Sequence, residues 1–146
     1  MNFTDFITNH GKRIQREHYI HLVQTARIDG KIEKSELELL HKEGKKFGLT
    51  DPEIDKLIKS EGEHHYNQPY SLKEKFEELY NIAEIILADN VVTDSERRMI
   101  NRYAIAAGFS DNTIEKLVEL LFEGIKKGRD EEDLLKEFRE RHLFKG

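Results

Sequence analysis

The chain repeats itself at an offset of 60 residues. Asp29 stands against Asp89, Ser35 against Ser95, Glu36 against Glu96, Gly48 against Gly108 and Asp51 against Asp111. Ile54, Lys56 and Leu57 meet Ile114, Lys116 and Leu117, and no gap is needed between residues 29 and 58. Ile32 with Val92, Leu39 with Met99 and Leu40 with Ile100 keep the apolar character where identity is lost. Two copies are too few for a stacked solenoid, whose units need several neighbours to bury a continuous core. The repeat therefore points to one pseudo-symmetric body in which each half completes the other.

Within each copy the apolar residues recur with the 3.6-residue period of a helix. Tyr19, Leu22, Val23 and Ala26 form a first stripe, Leu37, Leu40 and Phe47 a second, and Ile54, Leu57 and Ile58 a third. Copy two answers with Phe76 to Leu87, then Met99 to Ala107, then Ile114 to Leu121. Gly48 and Gly108 sit where a left-handed residue ends a helix, each followed by an apolar residue that suits the Schellman contact. Thr50 and Ser110 follow as N-caps, and Thr50 with Glu53, Ser71 with Glu74 and Thr93 with Glu96 have the spacing of capping boxes. Glu33 replaces Thr93 in copy one and is the poorer cap. The expected fold is all-α, a single compact helical bundle of about seven to eight helices built from two pseudo-symmetric three-helix repeats. Repeat one covers about 13–60, a linker 60–71, repeat two about 72–125 and a C-terminal helix about 130–142. A short helix is expected around Thr4–Asn9.

Composition removes several functions. With no Cys, disulfides, thiolate zinc sites and cysteine nucleophiles are excluded. The balance of 24 Lys and Arg against 29 Asp and Glu gives a net charge of −5. That is the wrong sign for a sequence-independent grip on nucleic acid. No apolar run approaches the roughly 18 to 20 residues of a membrane span. No basic segment leads into an apolar one at the start, so no signal peptide is expected and the location expected is cytoplasmic.

Chemistry has one place to concentrate, the loop between the first two helices of each copy. Both loops keep an Asp (29 or 89), then a residue tolerant of positive φ (Gly30 or Asn90), then a Glu seven after the Asp (36 or 96). The rear half imitates a calcium-binding EF-hand loop, but the front half does not. Thr25 and Arg27, or Ile85 and Leu87, would fall where the ion needs oxygen ligands. Each Asp also lies at a helix C-terminus, where its charge opposes the helix dipole. Two accounts offset that cost. The Asp side chain accepts a backbone hydrogen bond from the next turn, with Glu36 and Glu96 serving as cap partners. Alternatively, Asp29, Glu36, Asp89 and Glu96 ligate a divalent cation, and with oxygen ligands alone it would be Ca, Mg or Mn.

The unit Asp-Gly-x-Ile…Glu followed by Gly-Leu-Thr-Asp, present twice in a helical chain of this size, resembles the TerB-like family. That family includes bacterial tellurite-resistance proteins and the N-terminal domain of a membrane-anchored J-domain co-chaperone. The resemblance covers about residues 13–125. It implies one TerB-like domain over 1–146, a bundle of about seven helices, a metal or ligand site at the acidic loops and a link to stress response. Carried over position by position, the site residues are Asp29, Glu36, Asp89 and Glu96. Copy two departs from the pattern with Asn90 in place of Gly. No His-Pro-Asp triplet follows, so the co-chaperone itself is excluded.

Other constellations are weaker. His18 and His21 are three apart with Glu17 beside them, and His64 and His65 follow Glu61 and Glu63. Neither group has the i, i+4 spacing of a helical zinc pair, so surface histidines are expected. No Gly-x-Ser-x-Gly elbow and no phosphate-cradling glycine loop occurs. The basic stretches alternate with acids as on a solvated helix face. The expected function is non-catalytic, binding a partner protein or a divalent cation during stress or tellurite response. The alternatives are a pure interaction scaffold without metal and a small hydrolase built on carboxylates. An apolar docking patch is expected near Phe3–Phe6 or Leu143–Phe144.

Overall fold

The computed structural model describes residues 5–7, 13–26, 32–61 and 71–145. Seven helices carry the fold: α1 Arg16–Ala26, α2 Lys34–Lys46, α3 Asp51–Glu61, α4 Leu72–Ile86, α5 Asp94–Ala106, α6 Asp111–Lys126 and α7 Glu131–Lys145. A single 3-10 turn, Leu87–Asp89, follows α4. The offset of 60 holds at the level of the elements. The ends of α1 and α4, both ends of α2 and α5, and the starts of α3 and α6 each differ by 60. Segment 62–70, most of the linker, lies outside the described residues, and Ser60 and Glu61 belong to α3.

One expected element is corrected. Asp5–Ile7 is a strand (β1) paired antiparallel with Arg13–Gln15 (β2), with Phe6 opposite Ile14, in place of a short helix around Thr4–Asn9. A helix of one or two turns gains too few hydrogen bonds to offset its nucleation, whereas Phe and Ile favour a strand.

The helix ends follow the local chemistry. Gly48 and Gly108 have φ of +91° and +98°. Leu49 N donates to Gly44 O at 3.0 Å and Phe109 N to Ala104 O at 3.1 Å, closing the same Schellman ring in both repeats. Gly128 ends α6 in the same way. Thr93 and Glu96 form the full capping box at α5, and Ser71 caps α4. Asp130 caps α7 through Asp133 N. Glu33 makes no side-chain cap, as expected, and Ser110 also makes none, its hydroxyl turning to Asn112 and Thr113.

The core is continuous through both repeats. Tyr19, Leu22 and Val23 of α1, Leu40 of α2 and Ile54 of α3 are buried with Phe76, Leu79, Ile82 and Ile86 of α4. Ile100, Tyr103, Ile114, Leu117 and Leu121 extend it, and Leu134, Leu135 and Phe138 of α7 close one end. The repeats interlock, since α1 packs on α5 as well as α3, and α4 packs on α2 as well as α6. Leu37 is the exception among the expected core residues: it is 37% exposed.

At Gly44, α2 packs tightly against Ile54 of α3 and Tyr19 of α1. A β-carbon there would lie 2.6 Å from Ile54 Cδ1 and 2.8 Å from Tyr19 Oη, whose hydroxyl donates to Leu40 O at 2.7 Å. Gly44→Ala is therefore expected to cost about 1–2 kcal/mol in a urea melt, overpacking exceeding the gain in helix propensity. A variant as stable as the parent would show that the α2–α3 contact yields freely.

Candidate functional site

The four acidic loop residues meet different fates. Asp29 and Gly30 lie outside the described residues. Glu36 accepts an ion-paired hydrogen bond from Arg102 Nη1 of α5. Glu96 Oε1 lies 3.4 Å from Lys42 Nζ of α2. These two pairs are themselves related by the offset, Glu36 answering Glu96 and Lys42 answering Arg102. Each repeat thus lends a base to the acid at the other's helix start, the reciprocal exchange typical of a two-fold contact.

Asp89 resolves its conflict with the helix dipole twice over. Its Oδ1 accepts from Val91 N at 3.2 Å, and Asn90 adopts the left-handed conformation at φ +63°. Its Oδ2 lies 3.4 Å from Lys46 Nζ. That ammonium is the centre of the site. It donates to Glu96 Oε2 at 2.9 Å and to Ile86 O, at the end of α4, at 3.1 Å. It also lies 3.4 Å from Glu43 Oε1. A cation does sit among the repeat-two acids, and it is a lysine supplied by repeat one.

Glu43 is the residue that sequence reasoning missed. It is fully buried, and neither oxygen receives a well-formed hydrogen bond. Burial first, and then the neighbouring Glu96, push its carboxyl up to about 9, so it is protonated at neutral pH. Burial also works to raise Glu96, but contact with Glu43, the Thr93 amide and Lys46 outweigh it and hold the group well below the usual carboxylate range. Glu43 and Glu96 thus share one proton and one negative charge beside Lys46. For Lys46, burial opposes the charge, and Glu96, Glu43 and Asp89 more than restore it. The sequence did contain the signal. Glu43 lies three after Leu40 and four before Phe47, on the buried stripe of α2.

A second polar layer crosses the core between α1, α4 and α5. His21 Nδ1 lies 2.8 Å from Glu78 Oε1, the same oxygen that accepts from Tyr103 Oη. His18 Nδ1 pairs with Asn81 Nδ2 at 2.9 Å. Burial works to raise Glu78, but His21 and Tyr103 bring it below the ordinary value. The expected surface role of His18 and His21 is corrected: His18 is buried and His21 half-buried, because both follow the apolar phase of α1. His64 and His65 lie outside the described residues, as do the side chains of Phe3, Phe6, Leu143 and Phe144.

Among the described residues no group of three or more His, Cys, Asp or Glu is placed to hold a metal ion. None of the described helices is long and apolar enough to cross a membrane. Neither family models nor curated proteins nor solved structures give a match to the chain.

Proposed function

We propose that the chain is a non-catalytic, TerB-like module of the stress- or tellurite-resistance type that acts by binding a partner protein. The observation that carries this reading is the surface beside the Lys46 cluster. A shallow groove of about 630 Å³ runs along α2, lined by Leu37, His41, Lys42, Lys45 and Asp89. Leu37 is 37% exposed, and Val91, two residues beyond Asp89, is 57% exposed. Apolar anchors ringed by charge suit protein docking better than a closed, largely apolar substrate pocket. The rim is preset: His41 lies between Asp51 (2.6 Å) and Asp55 (2.7 Å), and Lys45 pairs with Asp51 at 3.2 Å.

The other reading of the loops, a divalent cation at Asp89 and Glu96, requires the ion to displace Lys46. Two measurements test the proposal together. Leu37→Asp combined with Val91→Asp is expected to abolish capture of a partner held by the parent chain while leaving its melting temperature unchanged. Millimolar Ca²⁺ or Mn²⁺ is expected to leave the amide resonances of 89–96 in place. A partner retained equally by both chains, or saturable shifts at 89–96, would overturn the reading.

A further inference from the structure

The repeats differ most where they ought to match. Lys46 fills the angle between the end of α4 and the start of α5, but its counterpart 60 residues on is Ala106, which has no group to return. Beside the matching angle of repeat one, between Ala26 and the start of α2, lies a cleft of about 170 Å³. Ser35 and Glu36 form one wall, and Ser95, Arg98 and Arg102 the other. Ser35 and Ser95 are counterparts, so the cleft straddles the local two-fold relation and extends toward repeat one.

Its lining is rich in donors. Arg102 spends Nη1 on Glu36, and the rest of its guanidinium has no partner among the described residues. Arg98 is exposed and donates through Nη2 to Ser95 Oγ at 3.2 Å. Among the described lining residues, two guanidinium groups and two hydroxyls converge with one carboxylate in a concave site. An oxyanion is favoured, because planar guanidinium groups pair with phosphate oxygens through several charge-assisted hydrogen bonds.

We propose that this cleft binds a phosphoryl group through Arg98, Arg102, Ser35 and Ser95. The group arrives either as free phosphate or on a phosphorylated side chain, and the chemistry at the cleft is shared. The reading stands on the cleft alone and does not require the α2 groove to dock a protein.

The test is an NMR titration of the full chain with inorganic phosphate, phosphoserine and acetate at constant ionic strength. Phosphate is expected to shift the Ser35 and Ser95 amides and the Arg98 and Arg102 Nε resonances saturably in the millimolar range, with acetate weaker. Arg98→Gln is expected to weaken phosphate about tenfold, as loss of a charge-assisted contact does, and Arg98→Lys to recover part of it. Tighter binding of phosphoserine than of phosphate assigns the site to a phosphorylated side chain, and the reverse order to the free ion. No saturable shift at these four residues, or shifts unchanged in both Arg98→Gln and Ser95→Ala, would overturn the proposal.

Discussion

Replacing Lys46 by Met is expected to lower the unfolding free energy by about 3–5 kcal/mol in urea melts at pH 7, the cost of leaving a buried charge without its partner. Met keeps most of the stem's apolar contact, so the loss is attributable to the ammonium. Glu96 would lose its 2.9 Å partner while its side chain stays fully buried. Asp89 and Ile86 O would lose the same group. Lys42, at 3.4 Å and partly solvated, cannot make up the difference. Adding Glu96→Gln to Lys46→Met is expected to recover more than half the loss, because the uncompensated charge then disappears. A loss below about 1 kcal/mol for Lys46→Met would show that the seam between the repeats does not depend on this ion pair.

Glu43→Gln is expected to act in the opposite direction, raising stability by about 2 kcal/mol at pH 7–8 and by little near pH 4. The sign follows from the direction of the shift. The folded carboxyl titrates near 9 and the unfolded one near 4.5, so between those values the folded chain binds the extra proton. Stability from this group therefore falls as pH rises from about 4.5 to about 9 and is level above that. Gln is neutral throughout and removes this slope. Glu96 contributes the reverse limb: its lowered value gives stability that is present above the ordinary carboxylate range and is lost as pH falls through the folded value. Urea midpoints of parent and Glu43→Gln measured from pH 4 to pH 9 decide the matter. Parallel curves would mean that Glu43 is ionised in the folded chain.

The helices were legible because their boundaries carried local chemistry, repeated at Gly48 and Gly108 and present once each in the Thr50 and Thr93 boxes. The fold class and repeat architecture followed from the same offset. The N-terminal strands were not legible, since three-residue segments carry no period and gain their hydrogen bonds only from each other. The loop acids could be located in the sequence, but their partners could not. Arg102 and Lys46 come from the opposite repeat, 66 residues from Glu36 and 50 from Glu96 respectively, and a helical pattern holds no information about such pairings. Glu43 was hidden for another reason. In a chain with so many acids, one more Glu on α2 reads as solvated surface unless its phase against Leu40 and Phe47 is weighed.

The absence of a lysine at position 106 has a consequence for engineering the molecule. The two halves are no longer interchangeable modules. A chain made of two copies of residues 13–61 would carry a counterpart of Lys46 at both seams, whereas two copies of residues 72–126 would carry it at neither and keep only the pairing through Arg102. Only the unequal pairing gives one seam a buried ammonium group and lines the other with guanidinium groups, so the two halves of the joint carry different chemistry.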